Sequence, residues 1–242
     1  MSNYKLIGVG TNAKTKKGDG SEYLTAIIYM APFKVVVDGK TFNSCAMAEQ
    51  AECFKPCLNV AGRGAMHSVQ AARLRKAEWF YRDRESWMRQ LMVDLAKFQN
   101  YCAKRNIQPV VRLNGTTDIR FELVKLDGYT IFELFPRIEF YDYTKIANRN
   151  VSHIDNYHLT WSYSGSNAKY AAMMQTALSK GMNVATVFRK AFDYSNTWQG
   201  LPVVNGDADD LRILDPKGGH IVALYAKGKA ARQDTSGFVV DA

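Results

Sequence analysis

Three of the four cysteines lie close together in the sequence, at Cys45, Cys53 and Cys57. Thiolates are the protein ligands that soft metal ions and iron–sulfur clusters prefer. Three thiolates from one short loop can bind a single metal centre and leave one coordination position open. An odd number of clustered thiols cannot pair completely in disulfides. The spacing therefore predicts a metal site on this loop.

The kind of metal site stays open at this point. A four-iron, four-sulfur cluster would leave one iron for a small molecule. Zinc would need a fourth ligand, for which His67 is a candidate. The third alternative is that the three cysteines bind no metal. Cys102 is separate from them, because it lies on the apolar stripe of a predicted helix and is expected to pack in the core.

The elements that must position these residues are predicted strands separated by helices. Helices are predicted at 68–81, from Asp83 onward, where apolar residues follow at spacings of four, four, three and four, and at 167–180 before Gly181. Parallel strands need long crossovers, so the alternation predicts an α/β fold, arranged as a partial (β/α)6-type barrel. The predicted strands are 24–30, 110–113, 138–143, 157–163, 184–188 and 221–225.

Polar residues recur where the predicted strands end. In parallel α/β folds the ligand binds at the carboxyl ends of the strands. The recurrence predicts one pocket for a small-molecule cofactor or substrate, with Arg112 and Thr144 among the polar residues at its edge. The predicted binding residues are Asn114, Gly115, Thr117, Asp118, Asp142, Lys145, Ser162, Arg189 and Lys227.

The charge balance favours contact with polyanions. Lysine and arginine number 32 against 23 acidic residues, which gives a net charge of +9. Such an excess indicates either a solvated basic surface or a nucleic-acid footprint, and positive charge is concentrated at 14–17, 73–76 and 227–232. Cations beside an aromatic run, here at 79–81, suit single-stranded nucleic acid. The candidate nucleic-acid residues are Arg63, Arg73, Arg75 and Lys76.

The domain organisation is predicted to be simple. No repeat or flexible linker divides the 242 residues, so the chain is expected to form a single domain, 1–242. Within it we expect an N-terminal extension at 1–23, a barrel at 24–230 with a cysteine loop at 44–64, and a tail at 231–242. No apolar run reaches the length of a membrane span and no signal-peptide pattern is present, which predicts a cytoplasmic protein.

One acidic group, Asp207, Asp209 and Asp210, has the residue types of a divalent-cation site. A solvated loop is the favoured interpretation of this group.

The cysteine loop and the segments that follow it resemble the phage gene-product-88 family. The resemblance extends from about residue 24 to the C-terminus, and it implies a phage-encoded protein that acts in the host cytoplasm. It implies no particular reaction. The stretches that carry it are the cysteine loop with CLN at 57–59, AGRG at 61–64, VQAAR at 69–73, RLNGTTD at 112–118, FYDYTK at 140–145, NYHLT at 156–160, VFR at 187–189, VNGD at 204–207, DLR at 210–212 and AKGKA at 226–230.

The chain is also similar, more distantly, to radical S-adenosylmethionine enzymes. In those enzymes three cysteines after the first barrel strand hold a four-iron, four-sulfur cluster, and a glycine-rich segment after the second strand contacts the amino group of the cofactor. Here the cysteines follow the first predicted strand and NGTTD at 114–118 follows the second, although the cysteine spacing and the glycine segment differ from the usual ones. The likeness implies that Asn114 and Asp118 hold the ammonium group of S-adenosylmethionine and that Lys145 or Arg189 meets a carboxylate or phosphate.

Two functions are therefore predicted. The first is an iron–sulfur protein resembling radical S-adenosylmethionine enzymes, which binds a cofactor or substrate at the C-terminal mouth of the barrel. The alternative is a non-enzymatic module that binds nucleic acid or a host protein and uses an iron–sulfur or zinc site only to fix a loop.

Overall fold

A β-sheet organises the fold in this computed structural model. The structure describes residues 4–10, 20, 22–54, 57, 59 and 62–242. The strands of this part of the chain are β1 (Ile7–Val9), β2 (Tyr23–Ile28), β3 (Lys34–Val37), β4 (Lys40–Asn43), β5 (Gln108–Arg112), β6 (Lys125–Leu126), β7 (Tyr129–Thr130), β8 (Glu139–Thr144), β9 (Tyr157–Ser162), β10 (Asn183–Phe188), β11 (Thr197–Trp198), β12 (Leu201–Asn205), β13 (Ile221–Tyr225) and β14 (Val239–Val240). Its helices are α1 (His67–Arg82), α2 (Arg84–Ala103), α3 (Ile131–Leu134), α4 (Ala168–Ser179) and α5 (Lys229–Arg232).

The central sheet is mostly parallel, which confirms the predicted α/β class. Its parallel strands lie in the order β2, β5, β8, β9, β10, β13 and β12, with β1 antiparallel at one edge and β11 antiparallel at the other. The six predicted strands correspond to β2, β5, β8, β9, β10 and β13, and they lie side by side in chain order. Among the described residues no pairing joins the two edges, so the sheet does not close into a barrel.

The helices form where the apolar periodicity predicts them. Asp83 begins α2 by accepting a hydrogen bond from the Ser86 backbone N–H at 3.0 Å. Asn167 begins α4 in the same way, and Gly181 follows the end of α4 with a φ of 77°, a conformation that favours glycine. The stripe residues of α2, Trp87, Leu91, Leu95, Phe98 and Cys102, are fully buried. No helix of the described segments is both long and apolar enough to cross a membrane.

Both faces of the sheet are covered. Val111 and Phe140 belong to the main core, into which the helices pack, whereas their chain neighbours Val110 and Tyr141 pack against Leu211 on the other face. This alternation follows from the two-residue period of a strand. Leu211 lies in the connection between β12 and β13, which therefore covers the face that a closed barrel would enclose.

The two ends of the chain contribute to the sheet. Asp94 accepts hydrogen bonds from the backbone N–H groups of Lys5 and Leu6, at 2.9 and 2.7 Å, and fixes the start of β1. Near the other end, β14 pairs with the last residues of β10. The predicted N-terminal extension and C-terminal tail thus each supply a strand.

Candidate functional site

One cavity, of about 230 Å³, lies between the cysteine loop and the carboxyl ends of the parallel strands. Its volume is near the lower end of the range for small-ligand pockets. The predicted binding residues Asp142 and Arg189 are not among the residues that line it. The predicted residues that line it are Cys45, Cys53, Cys57, Asn114, Gly115, Thr117, Asp118, Lys145, Ser162 and Lys227.

The three loop thiols share this cavity and influence one another electrostatically. Burial raises the pKa of Cys45 to about 12, and negative charge on Asp118, Cys53 and Cys57 adds to the effect. Burial also raises the pKa of Cys53 and of Cys57, while the ammonium group of Lys145 acts in the opposite direction on both. The protein alone thus favours neutral thiols, and a bound cation would supply the charge that turns them into thiolates.

The described residues contain no ready-made site for a single metal ion. No three His, Cys, Asp or Glu side chains of these residues are placed closely enough to hold a metal ion. His67, the candidate fourth zinc ligand, is exposed at the first position of α1 and does not line the cavity.

The cysteine loop is attached to the strand ends at two points. Near its start, the Ser44 carbonyl accepts a hydrogen bond from the Asp118 backbone N–H at 2.8 Å. Further along, the Ala51 carbonyl accepts one from the Ser164 hydroxyl at 2.7 Å. These bonds connect the loop to the segments after β5 and after β9, and they hold Cys45 and Cys53 over the cavity.

Arg73 supports the third cysteine from behind. Its guanidinium is buried and donates to Asn59 Oδ1 at 2.6 Å, and Gln70 Nε2 donates to the Asn59 carbonyl at 2.6 Å. The backbone N–H of Asn59 in turn donates to Cys57 Sγ at 3.4 Å. Arg73 also lies 4.9 Å from the ring centroid of Tyr29. The predicted nucleic-acid residue Arg73 is therefore placed as a structural support of the cysteine loop.

The other candidate nucleic-acid residues lie in different environments. Arg63 and Arg75 are exposed, on the 3₁₀ turn at Gly62–Ala65 and on α1. Lys76 is half-buried and donates to the Leu6 carbonyl at 2.8 Å. The basic run at 14–17 lies outside the described residues.

Asn114 uses its side chain within the protein. Its Oδ1 accepts from the Thr117 hydroxyl and the Ile119 backbone N–H, both at 2.8 Å. Its Nδ2 donates to Asp142 Oδ2 and to the Ile119 carbonyl, both at 3.0 Å. Asp142 lies behind the cavity wall, and burial raises its pKa to about 6 against the opposing effect of these hydrogen bonds. Asn114 and Asp142 therefore shape the segment after β5.

Gly115 has a packing role in the same segment. A Cβ at this position would lie 2.6 Å from the Ile28 carbonyl oxygen and 2.7 Å from Ile27 Cγ2, closer than real Cβ atoms approach. The absence of a side chain thus lets the segment after β5 lie against the end of β2.

Asp118 is likewise bonded within the protein. Its Oδ1 accepts from Arg149 Nη1 at 3.0 Å and its Oδ2 from the Lys145 backbone N–H at 2.8 Å. Burial raises the pKa of Asp118, and Arg149 opposes that rise. Arg149 is fully buried, and its other nitrogens donate to Glu122 and to the hydroxyl of Tyr157. We call this set the edge network: Asn114, Asp118, Glu122, Asp142, Arg149 and Tyr157.

A second buried polar group lies on the sheet face beneath the β12–β13 connection. Arg112 Nη1 and the Tyr141 hydroxyl both donate to Asp210 Oδ2, at 3.0 and 3.1 Å. Asp210 is only 3% exposed, so its interpretation as part of a solvated loop is wrong. Within the described chain, Arg112 Nε and the Tyr143 hydroxyl are buried without a hydrogen-bond partner. Arg212 pairs with Asp215 at 3.2 Å, and both charges act on the Tyr143 hydroxyl. We call this set the inner cluster: Arg112, Tyr141, Tyr143, Asp210, Arg212 and Asp215.

Lys145 is a half-buried cation that lines the cavity and acts on the pKa of Cys53 and Cys57. Its Nζ donates to the carbonyls of Ser162 and Tyr163, at 3.0 and 3.2 Å, and lies 4.3 Å from the ring centroid of Phe238. Burial lowers its pKa to about 8, and negative charge on Cys53 opposes that change. Phe238 belongs to the C-terminal tail, which thereby forms part of the cavity wall.

Arg189 holds this tail in place. Its guanidinium donates to Asp241 Oδ1 at 3.0 Å, and to the carbonyls of Arg232 and Asp234 at 2.6 and 3.0 Å. Lys227 lines the cavity and pairs with Asp207. Arg189 thus acts on the cavity only through the tail.

Comparison with known proteins gives one match. A family model described as gene product 88 matches residues 3–242. The chain belongs to the gene product 88 family. The match agrees with the resemblance that the sequence motifs indicate, and it does not show a relationship to radical S-adenosylmethionine enzymes. No curated protein and no solved structure matches the chain.

Several site residues of this gene product 88 protein are not among the residues predicted from the sequence. Asn59, Gln70 and Tyr143 lie within stretches that carry the family resemblance, which is the signal that singles them out. Arg149 lies in no such stretch, and its partner Asp118 is 31 residues away in the chain.

Proposed function

We propose that this gene product 88 protein binds a four-iron, four-sulfur cluster on Cys45, Cys53 and Cys57 and uses it on a small molecule held in the adjoining cavity. The observation that carries the proposal is that all three thiols line the same cavity as the carboxyl ends of the parallel strands. A parallel sheet with its strands in chain order is also what a partial (β/α)6-type barrel similar to radical S-adenosylmethionine enzymes would contain.

The donor types suit such a cluster, although the described thiols are not grouped closely enough to hold a single metal ion. All three candidate ligands are sulfur atoms from one loop, and His67, the predicted fourth ligand of the zinc alternative, does not line the cavity. The Asn59 N–H bonded to Cys57 Sγ and the ammonium group of Lys145 provide positive charge density beside the sulfurs. A cluster with one iron free of protein ligands can bind a small molecule and transfer an electron to it.

The residues after β5 act by positioning. Because the polar atoms of the Asn114 and Asp118 side chains are engaged inside the protein, they hold the cavity wall and the start of the cysteine loop. Lys145 uses two of its three N–H donors on carbonyl groups, and the third is available to a ligand. The cofactor class that the proposal implies is S-adenosylmethionine, and Lys145 is the cavity residue that we expect to contact it.

Metal analysis of anaerobically purified protein tests the proposal. We expect about four iron and four sulfide per chain and a broad absorption band near ~400 nm in the wild type. Cys53→Ala should lose both. Cys102→Ala is the matched control, because it removes a cysteine that is buried in the core on α2, and it should keep both.

The other outcomes have definite meanings. One zinc and no iron would contradict the cluster and favour the module that binds nucleic acid or a host protein. Absence of any metal would overturn both metal hypotheses. If the cluster is present, addition of S-adenosylmethionine should perturb its absorption spectrum, and an unchanged spectrum would contradict the cofactor assignment.

A further inference from the structure

The cavity wall formed by β5 and β8 carries two polar groups whose hydrogen-bonding capacity is unused. Arg112 is 5% exposed and lines the cavity, and its Nε is buried with no hydrogen-bond partner among the described residues. Tyr143, on the neighbouring strand, also lines the cavity, and its hydroxyl is buried with no hydrogen-bond partner among the described residues. The Arg112 guanidinium carbon lies 4.9 Å from the Tyr143 ring centroid, so the two groups are adjacent.

Buried polar groups of native proteins nearly always have partners, because a donor removed from water without one costs free energy. Two unpartnered donors on one cavity wall therefore indicate a missing acceptor. Both are donors, a guanidinium N–H and a phenol O–H, so the acceptor is expected to carry oxygen atoms with lone pairs.

The hydrogen bonding of Arg112 indicates which chemical group the acceptor is. Its Nη1 is bound to Asp210, which leaves the edge that contains Nε. An arginine edge with two parallel N–H groups matches the two oxygens of a carboxylate. Of the cations that line the cavity in the described part of the chain, Arg112 is paired with Asp210 and Lys227 with Asp207, which leaves Lys145. A single negative charge therefore suits the site better than a phosphate dianion.

We propose that Arg112 and Tyr143 bind the carboxylate group of a small molecule in this cavity. The inference rests on the proposed function in one respect, since it names the class of molecule held beside the cysteine loop. It requires no bound metal, because none of its donors belongs to that loop.

Nitrogen-15 NMR of the arginine Nε–H groups tests this inference, with acetate as the probe. We expect acetate to shift the Arg112 Nε–H signal saturably, with the signal assigned by its absence in Arg112→Lys. Acetamide, a neutral molecule of the same shape, should cause at least a tenfold smaller shift at equal concentration. Inorganic phosphate should bind more weakly than acetate. An absent or unsaturable acetate effect, or tighter phosphate binding, would overturn the inference.

Two variants test whether the Tyr143 hydroxyl itself contributes to acetate binding. Tyr143→Phe should weaken acetate binding at least threefold, whereas Tyr129→Phe, at an exposed tyrosine, should leave it unchanged. Equal affinities of Tyr143→Phe and the wild type would remove Tyr143 from the site. The backbone amide spectra show whether each variant is folded.

The acetate titration of Cys53→Ala separates the test of the carboxylate site from the test of the cluster. Acetate should still shift the Arg112 signal in that variant, since the cysteine loop supplies none of the donors. Loss of acetate binding in a folded Cys53→Ala protein would contradict the inference. A wild type without iron that still binds acetate would contradict the cluster proposal alone.

Discussion

Two buried arginines near the same cavity differ in how fully they are bonded. Every side-chain nitrogen of Arg149, in the edge network, donates to a protein acceptor on Asp118, Glu122 or Tyr157. Arg112, in the inner cluster, binds Asp210 through Nη1 and has no partner at Nε among the described residues. Burial of an arginine therefore does not by itself assign it a role. A fully bonded arginine belongs to the framework, whereas an incompletely bonded one at a cavity wall is available to a ligand.

The greatest loss of stability is expected from substitution of Arg149. Arg149→Met leaves the carboxylates of Asp118 and Glu122 buried without their cation, and we expect the free energy of unfolding to fall by about 3–5 kcal/mol. Urea unfolding measures it. The control, Arg82→Met, removes the exposed pair with Asp38 and should leave the free energy of unfolding nearly unchanged. If the two variants lose equally little stability, the edge network does not hold the fold.

A pH dependence of opposite sign to ordinary acid unfolding is expected from the inner cluster. Burial raises the pKa of Asp215 to about 6, with Asp209 and Asp210 adding to the rise and Arg212 and His220 opposing it. The folded protein therefore holds this proton more tightly than the unfolded chain does. The stability that it contributes is complete below the unfolded pKa, near 3.8, and is lost as the pH rises through about 6.

Asp215→Asn tests this pH dependence, because asparagine has no proton to lose. Relative to the wild type, the free energy of unfolding of the variant should rise by about 1–2 kcal/mol between about pH 4 and about pH 7, a figure reduced for solvent screening. Urea unfolding at several pH values within that range gives the difference. Parallel pH profiles for the two proteins would show that Asp215 titrates alike in the folded and unfolded states.

The sequence predicts the parts of this molecule that depend on local pattern. The stripe of α2 and the six central strands follow from apolar periodicity, and the polar strand ends follow from the rule that parallel strands present one common edge. The strand β12 is not predicted because its short segment, Leu201–Asn205, is only partly buried and contains Pro202, which argues against a strand in a sequence pattern.

The edge network and the inner cluster could not be predicted from the sequence, because their hydrogen bonds join distant parts of the chain. Arg112 and Asp210 are 98 residues apart, so an acidic group in a loop gives no sign of a buried partner. For Asn114 the sequence does not predict the contacts that the structure shows. Its position after a strand indicates a ligand contact, but hydrogen bonds within the edge network use the polar atoms of its side chain.

The smallest expected effect separates two tyrosines on neighbouring strands. Tyr143→Phe removes a buried hydroxyl that has no partner in the described residues, so the free energy of unfolding should stay the same or rise by up to about 1 kcal/mol. Tyr157→Phe removes a hydroxyl that donates to Asp142 and accepts from Arg149, and it should cost about 1–3 kcal/mol.

Urea unfolding with and without acetate measures these differences in stability and tests whether the Tyr143 hydroxyl binds the ligand. Without acetate, Tyr143→Phe should be at least as stable as the wild type. With acetate, the wild type should gain more stability than Tyr143→Phe, because a ligand stabilises the folded state in proportion to its affinity. If Tyr143→Phe costs as much stability as Tyr157→Phe in the absence of acetate, the Tyr143 hydroxyl contributes to the framework. The inner cluster would then be a second framework, and the distinction between the two arginines would fail with it.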